Sequence, residues 1–331
     1  MTPPTPASAA THPATPRRNS PCSLDLARAV DWLVGHRVLC DPDAAPLPPD
    51  QTVFPERSLL ELVLTCRHLQ RNQAPLSQRQ YTDLDATLQS ASMITTRPTC
   101  RTRLRASPQL FPYYALLSVL LAEVDLPGVL TLAQIQRTSD RYEGNPLPTN
   151  VTAFQQLELR YILDRGGIRH ALPAESALAA RCLPARSDPD QLTDLQSYAL
   201  THTVFYLTDF ATHPVTVLTR PQITQTARLL AGLLSRYTTI RDYDLTAEVL
   251  FSCSALSEPP SSSTDRAWTQ IGSAQDPGGA VPGPHHDPAI ASTFAETESF
   301  DPYWFGTSAH TTAVTVMAAV SQLRPTQSLI A

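Results

Sequence analysis

The stretch YALTHTVFYLTDF, residues 198–210, sets an imidazole, two phenols and a carboxylate into a run that is otherwise apolar. Histidine moves protons near neutral pH, a carboxylate can orient it, and a phenol can donate a hydrogen bond to a reacting group. Advancing about 100° per residue from His202 puts Tyr198 at about −40°, Tyr206 at about +40° and Asp209 at about −20°. All four would share one narrow face of a helix. Leu200, Val204, Leu207 and Ala211 lie opposite, and Phe205 and Phe210 flank the ridge. A helix with an apolar back and aromatic flanks is surrounded by protein, so the polar ridge is expected to face inward.

A buried carboxylate is costly without partners, and other segments offer them. DYDLTAEVLFSC carries Asp244 and Glu248 one turn apart on one face. SAHTTAVTVMAAV presents His310 at the start of an apolar run, with Thr311 and Thr312 beside it, and LELRYILDRGG carries Glu158, Arg160 and Asp164. The expected catalytic set is His202, Asp209, Tyr206 and His310, with Tyr198, Asp244, Glu248, Arg160 and Trp304 contacting substrate. A purely structural polar network competes with this reading. Two imidazoles and several carboxylates could also hold a divalent metal, although no HExxH-type motif enforces one. No Gly-rich phosphate loop, GxSxG elbow or dinucleotide fingerprint is present, so no organic cofactor is expected.

The elements that must position these groups all read as helices. Ser23 can cap the first, Pro55 opens ERSLLELVLTCRHLQ, and further helices are predicted at about 77–94, 108–124 and 131–142. Thr131 and Gln134 stand at capping-box spacing. TAFQQLELRYILDRGG gives a helix closed by Gly166 or Gly167, and Asn150-Val-Thr marks its start rather than a glycosylation site. Residues 174–183, 190–211, 221–237, 242–256 and 308–323 complete eleven predicted helices, with HPVTVLT (213–219) as a short extended connector. LLELVLTCRHL (59–69) and TAEVLFSCSAL (246–256) align without gaps, setting Glu61 over Glu248 and Cys66 over Cys253. Helical hairpins with such an echo at opposite ends of the chain suggest an all-α fold, an α/α solenoid closed into a toroid, with an irregular bundle as the alternative. The expected organisation is a disordered leader over 1–21, one helical domain over 22–256 and 289–325, and a low-complexity loop over 257–288.

Composition narrows the function classes. The 331 residues are 42% hydrophobic and 17% charged, with a formal charge of −5 and no basic patch, which argues against nucleic acid as a partner. The chain has no Lys, so all 25 cationic side chains are Arg, and it has 31 Pro, a bias of GC-rich coding. Six scattered cysteines without CxxC pairs read as free thiols in a reducing cytoplasm. No apolar signal-peptide core opens the sequence and no run reaches 18 apolar residues, so neither secretion nor a membrane span is expected. His285 and His286 lie in a Pro/Gly stretch and read as exposed. Arg101, Arg103 and Arg105 read as a solvated connector or an anion clamp, and the aromatic cluster of SFDPYWFGTSAHTT as a docking element or a lid.

LELRYILDRGG, YALTHTVFYLTDF, DYDLTAEVLFSC and the late His-Thr-Thr occur in the order seen in an uncharacterised family of helical actinobacterial proteins carried as a domain of unknown function. The chain resembles that family over about 23–324. Family members commonly continue Thr-Asp-Phe with Gly where Ala211 stands here, and precede His-Thr-Thr with Tyr where this chain has Ala309. The resemblance supports the choice of residues and implies no activity. The expected function is a cytoplasmic protein of specialised metabolism, a lyase, cyclase or hydrolase acting on a small molecule or peptide. A non-catalytic helical scaffold binding a peptide or a partner enzyme is the alternative.

Overall fold

A computed structural model describes residues 24–43, 55–141, 151–184, 188–259, 261–294, 297 and 300–323. These residues form fourteen α-helices and no strand. They are α1 (Leu26–Gly35), α2 (Pro55–Arg71), α3 (Gln78–Thr95), α4 (Pro98–Ala106), α5 (Phe111–Ala122), α6 (Leu132–Arg141) and α7 (Ala153–Arg165). The second half adds α8 (Glu175–Cys182), α9 (Asp194–Leu207), α10 (Arg220–Ile240), α11 (Tyr243–Ala255), α12 (Ser262–Ala274), α13 (Pro288–Phe294) and α14 (Phe300–Gln322). The all-α class expected from periodicity is what the chain adopts.

Local chemistry starts many of these helices. Ser77 with Gln80, Thr152 with Gln155, Thr193 with Gln196 and Thr219 with Gln222 form reciprocal capping boxes. Thr131 and Gln134 exchange the same two bonds. Each satisfies two backbone N–H groups that have no partner inside the helix. Asp25, not Ser23, caps α1, and Thr152 caps α7, so Asn150-Val-Thr does lead into a helix.

Two groups of helices then separate by burial. Successive packing runs α2 on α5, α5 on α7, α7 on α9, α9 on α11, α11 on α14, and α14 back on α2. These six make a closed circuit. The others pack outside it: α3 on α2, α6 on α5, α8 on α7 and α9, α10 and α12 on α11, and α1 and α13 on α14. Among the circuit helices, YALLSVLLA of α5 is apolar on almost every side, and LTAEVLFS of α11 is buried without interruption. Such helices are stable only between other helices.

Three stretches depart from the expectations. The presumed loop over 257–288 contains α12, whose Thr264, Ala267, Trp268 and Ile271 form one apolar stripe, with Trp268 fully buried. Its helical period was legible but lay hidden among Pro, Ser and Gly neighbours. The segment after α12 is bound as well. Gln275 donates to the carbonyls of Asp25 and Gly279, and Val281 donates to the Thr312 hydroxyl. Gly279 has φ 115°, and a Cβ there would meet the Arg28 carbonyl at 2.3 Å. Gly279→Ala is therefore expected to cost about 1–3 kcal/mol and to release this segment from α1, read as faster proteolysis between 275 and 288 and a lower urea midpoint.

The run CRTRLRASP forms α4, and its Arg103 reaches the buried Glu56 at 2.5 Å while Arg101 and Arg105 stay exposed. Segment 213–219 is a connector without strand geometry. The expected leader over 1–21 lies outside the described residues.

The third departure concerns the ridge. Helix α9 stops at Leu207, and Asp209, Phe210 and Ala211 follow in the left-handed region, with φ of 46°, 53° and 59°. Side chains other than Gly are disfavoured there by about 1–2 kcal/mol each. The turn is held by Phe210 N–H donating to Phe205 O at 2.7 Å and by the Thr208 hydroxyl accepting from Ala211 N–H at 3.0 Å. Glycine in place of Ala211 would adopt this conformation without the Cβ conflict.

Candidate functional site

Helix α11 supplies the centre of the site. Glu248 is fully buried and Asp244 nearly so, one turn earlier. Buried carboxylates require donors, and these come from both neighbouring helices. Glu248 Oε2 accepts from the Thr201 hydroxyl and lies 3.3 Å from His202 Nδ1, both on α9. Its other oxygen, Oε1, lies 3.3 Å from His310 Nε2 on α14. Asp244 accepts from Tyr198 on α9 and from Thr311 on α14, each at 2.5 Å. One glutamate thus joins two imidazoles from the two helices flanking its own.

His310 is enclosed on its second nitrogen too. Nδ1 meets Glu61 of α2 at 2.9 Å, and Glu61 also accepts from Arg57 Nε at 2.7 Å. The internal echo acquires a physical meaning here. Glu61 and Glu248, set over one another by the alignment, sit on α2 and α11, the two neighbours of α14, and hold the two ring nitrogens of His310.

Charges follow from this arrangement. Burial works against the His310 cation, but Glu61 and Asp244 outweigh it and hold its pKa well above the usual 6.5. This arrangement favours the protonated form of His310. Burial pushes Glu61 upward, yet His310 and Arg57 bring its carboxyl down to about 2. Glu248, also opposed by burial, is lowered further by His202 and then His310. At His202 burial again opposes the charge, and Glu248 alone raises the pKa above its ordinary value.

His202 differs from His310 in having a free edge. Nδ1 donates to the Tyr198 carbonyl at 3.0 Å and faces Glu248, which places a proton on that nitrogen. Among the described residues nothing within hydrogen-bond distance meets Nε2. Phe154, Tyr198, Phe205 and Tyr206 surround the ring at centroid distances of 5.3–6.3 Å. One turn on, Tyr206 donates to Glu158 Oε1 of α7 at 2.9 Å and stacks on Tyr161 at 5.2 Å. Burial raises the Glu158 carboxyl, only partly offset by the Tyr206 hydrogen bond.

The carboxylates and imidazoles just described come from the first halves of α2, α7 and α11 and from the middles of α9 and α14, while the ends of α2, α5 and α7 and the turn after α9 carry a second polar layer. Arg71 at the end of α2 pairs with Asp209 at 2.8 Å. Arg165 at the end of α7 bonds Asp209, Tyr161 and Glu123, and Arg67 reaches Glu123 at 3.4 Å. Two such layers, one toward the start and one at the end of each helix, mean that α2, α7 and α9 run in one direction. The Arg71–Asp209 pair joins α2 to the turn after α9, two elements that are not neighbours in the circuit. Between the layers, Phe205, Phe210 and Phe251 pack ring to ring. At the first end His202 and His310 keep 25% and 27% of their side-chain surface accessible, although helices enclose them. Accessible surface on groups so deeply set marks a water-reachable recess at that end.

The structure therefore gathers His202, Tyr206, His310, Tyr198, Asp244 and Glu248 in one place. It does not bring in Asp209, because the left-handed turn after Leu207 carries that carboxylate off the ridge and into the second polar layer. The carboxylate that orients His202 is Glu248. Arg160 pairs with Asp164 at 3.1 Å and donates to the carbonyls of Leu172 and Pro173, fastening the end of α7 away from the cluster. Trp304 stacks on Phe300 and meets His286 edge-on at 4.3 Å, so the pair expected to be two exposed histidines is split. His285 is exposed, and His286 is packed. Arg57, Thr201 and Phe154 carry no local signal that sets them apart in the sequence, and Glu61 is distinguished there only by its alignment with Glu248.

Among the described residues no three His, Cys, Asp or Glu side chains are arranged to hold a metal ion. A separate surface hollow beside α10, lined by Asp188, Gly232, Arg236 and Ile240, shares no residue with the cluster. No described helix is long and apolar enough to cross a membrane. Cys40, Cys66, Cys100, Cys182 and Cys253 are free. A family profile described as "Domain of unknown function (DUF6895)" matches residues 26–320. No curated protein and no solved structure matches the chain.

Proposed function

The chain belongs to the DUF6895 family of unknown function, and from that premise we propose that it is an enzyme whose six circuit helices form an α/α toroid around a proton-transfer site. The observation that carries this reading is the pairing of His202 with Glu248. A fully buried carboxylate fixes the Nδ1–H side of an imidazole whose Nε2 edge is left open to a recess. That is the arrangement a general base or acid needs, with one nitrogen held and the other free to exchange a proton with a bound molecule. His310, clamped between carboxylates, serves as the cation that keeps Glu248 and Glu61 ionised rather than as a second proton carrier. Tyr206 and Glu158 face the same recess as hydrogen-bonding groups.

A site of this kind removes a proton from one substrate atom and returns it to another, as a lyase, cyclase or hydrolase requires. The substrate is a small molecule or a short peptide segment, and the setting is specialised metabolism inside the cell. The five free cysteines support a reducing compartment. The test compares wild-type protein and His202→Gln, each incubated with small-molecule extracts and followed by untargeted mass spectrometry. Wild type is expected to consume at least one component, and His202→Gln to do so at least about a hundredfold more slowly, with an unchanged melting temperature. If wild type consumes nothing, or the variant works as fast, the enzyme reading fails and a binding scaffold takes its place.

A further inference from the structure

The charges around the recess leave one group unmatched. Arg57 is paired with Glu61, His310 lies between Glu61, Glu248 and Asp244, and His202 is paired with Glu248. Arg57 and the two imidazoles thus face Glu61, Glu248 and Asp244. Glu158 is the fourth carboxylate, and among the described residues no cation lies within ion-pair distance of it. Among the described residues its hydrogen bond is from the Tyr206 hydroxyl to Oε1, and none meets Oε2.

The walls beside Glu158 are aromatic. Phe154, one turn earlier on α7, lies 6.0 Å from the Tyr206 ring and 6.2 Å from His202. Tyr161, one turn later, stacks on Tyr206. Tyr113 on α5 is close enough for the Glu158 charge to act on its phenol. A single anionic group set among ring faces is the environment that attracts organic cations, because the quadrupole of each ring adds to the attraction of the carboxylate. A neutral or anionic ligand would leave Glu158 without a counter-charge. An anionic ligand would also compete with Glu61, Glu248 and Asp244 for partners they already hold.

We infer that the ligand of this recess carries a positively charged nitrogen, received by Glu158 Oε2 beside the Phe154 ring. This rests on the recess being the functional site and narrows its substrates to amines. The cation would sit one helical turn from His202, so that the free Nε2 edge faces the atoms next to the charged nitrogen.

The experiment titrates propylammonium, benzylammonium and tetramethylammonium, with propanol, benzyl alcohol and tert-butanol as uncharged counterparts, into the full chain. Binding is followed by chemical-shift changes of the aromatic and imidazole resonances. At least one ammonium probe is expected to bind saturably at least about tenfold more tightly than its alcohol. Glu158→Gln is expected to remove that preference while retaining the wild-type melting temperature, and Phe154→Leu to weaken it. Equal binding of ammonium and alcohol, undiminished ammonium binding in Glu158→Gln, or no saturable binding by any ammonium probe overturns the inference. The His202→Gln comparison reports separately on catalysis, because that variant keeps Glu158 and its aromatic walls. Amine binding retained with turnover lost supports both conclusions. Turnover by wild type of a substrate without a basic nitrogen overturns this one alone.

Discussion

Glu248→Ala is expected to destabilise the protein by about 3–5 kcal/mol at neutral pH, the usual penalty for removing one partner from a buried ionic network. Glu248 is fully buried, and its loss deprives Thr201 of an acceptor and leaves His202 without a carboxylate. The two histidines should respond unequally. His310 retains Glu61 and Asp244 and stays protonated through neutral pH, whereas His202 loses the only group that raised it, so burial then draws its pKa below 6.5. Imidazole resonances followed by NMR over pH check this directly. A His202 pKa that does not move, or a stability loss under about 1 kcal/mol, would mean that water already shares the site and the pair resembles a surface bridge.

The same network sets the pH dependence of stability. Glu61 and Glu248 have folded pKa values below their ordinary 4.5, so their contribution is complete above that value and is lost as pH falls toward about 2 for Glu61. His310 and His202 have folded values above 6.5, so their contribution is complete below 6.5 and is lost as pH rises through the folded values. Stability should therefore plateau between about pH 4.5 and 6.5 and decline on both sides. In Glu248→Ala both shoulders should flatten. Urea unfolding at a series of pH values measures both curves.

Arg165→Met should be comparably damaging in the second polar layer, again by about 3–5 kcal/mol. Arg165 is 9% exposed and bridges Asp209 and Glu123. Without it, Asp209 keeps Arg71 and the Tyr161 hydroxyl, and Glu123 keeps Arg67, so each partly buried carboxylate has fewer donors. Adding Asp209→Asn to the variant should recover part of the loss, since the amide removes a charge and still tolerates the left-handed conformation at that position. No recovery in the double variant, measured by urea midpoint, would show that Arg165 stabilises by packing its stem rather than by pairing.

How far the sequence carried the site depends on the residue. The starts of α7 and α11 are legible because Thr152 and Asp242 cap them through contacts within three residues, whereas α9 begins at Asp194 behind its Thr193 cap and not at 190 as the periodicity suggests. Asp244 and Glu248 stood out because a carboxylate pair on an apolar helix demands partners. Asp209 misled for the opposite reason. Its angle on the ridge assumed that α9 continues, and nothing in Thr-Asp-Phe-Ala announces three left-handed residues without a glycine. That conformation is held by the Thr208 hydroxyl and the ion layer around Arg165 and Arg71, contacts that exist only after folding. Helix α12 was missed because composition outweighed a four-residue apolar stripe.

The sequence by itself determined the helical class, most helix starts, the inward-facing ridge of α9 and the equivalence of Glu61 with Glu248. Those features depend on periodicity and on interactions over a few residues, which are written locally. The closed circuit of helices, the clamping of His310 by two carboxylates, the transfer of the His202-orienting role from Asp209 to Glu248 and the unmatched charge of Glu158 were decided only by tertiary structure. Each rests on groups more than forty residues apart, and which of many donors meets a given carboxylate is settled by how the helices pack rather than by the identity of either residue.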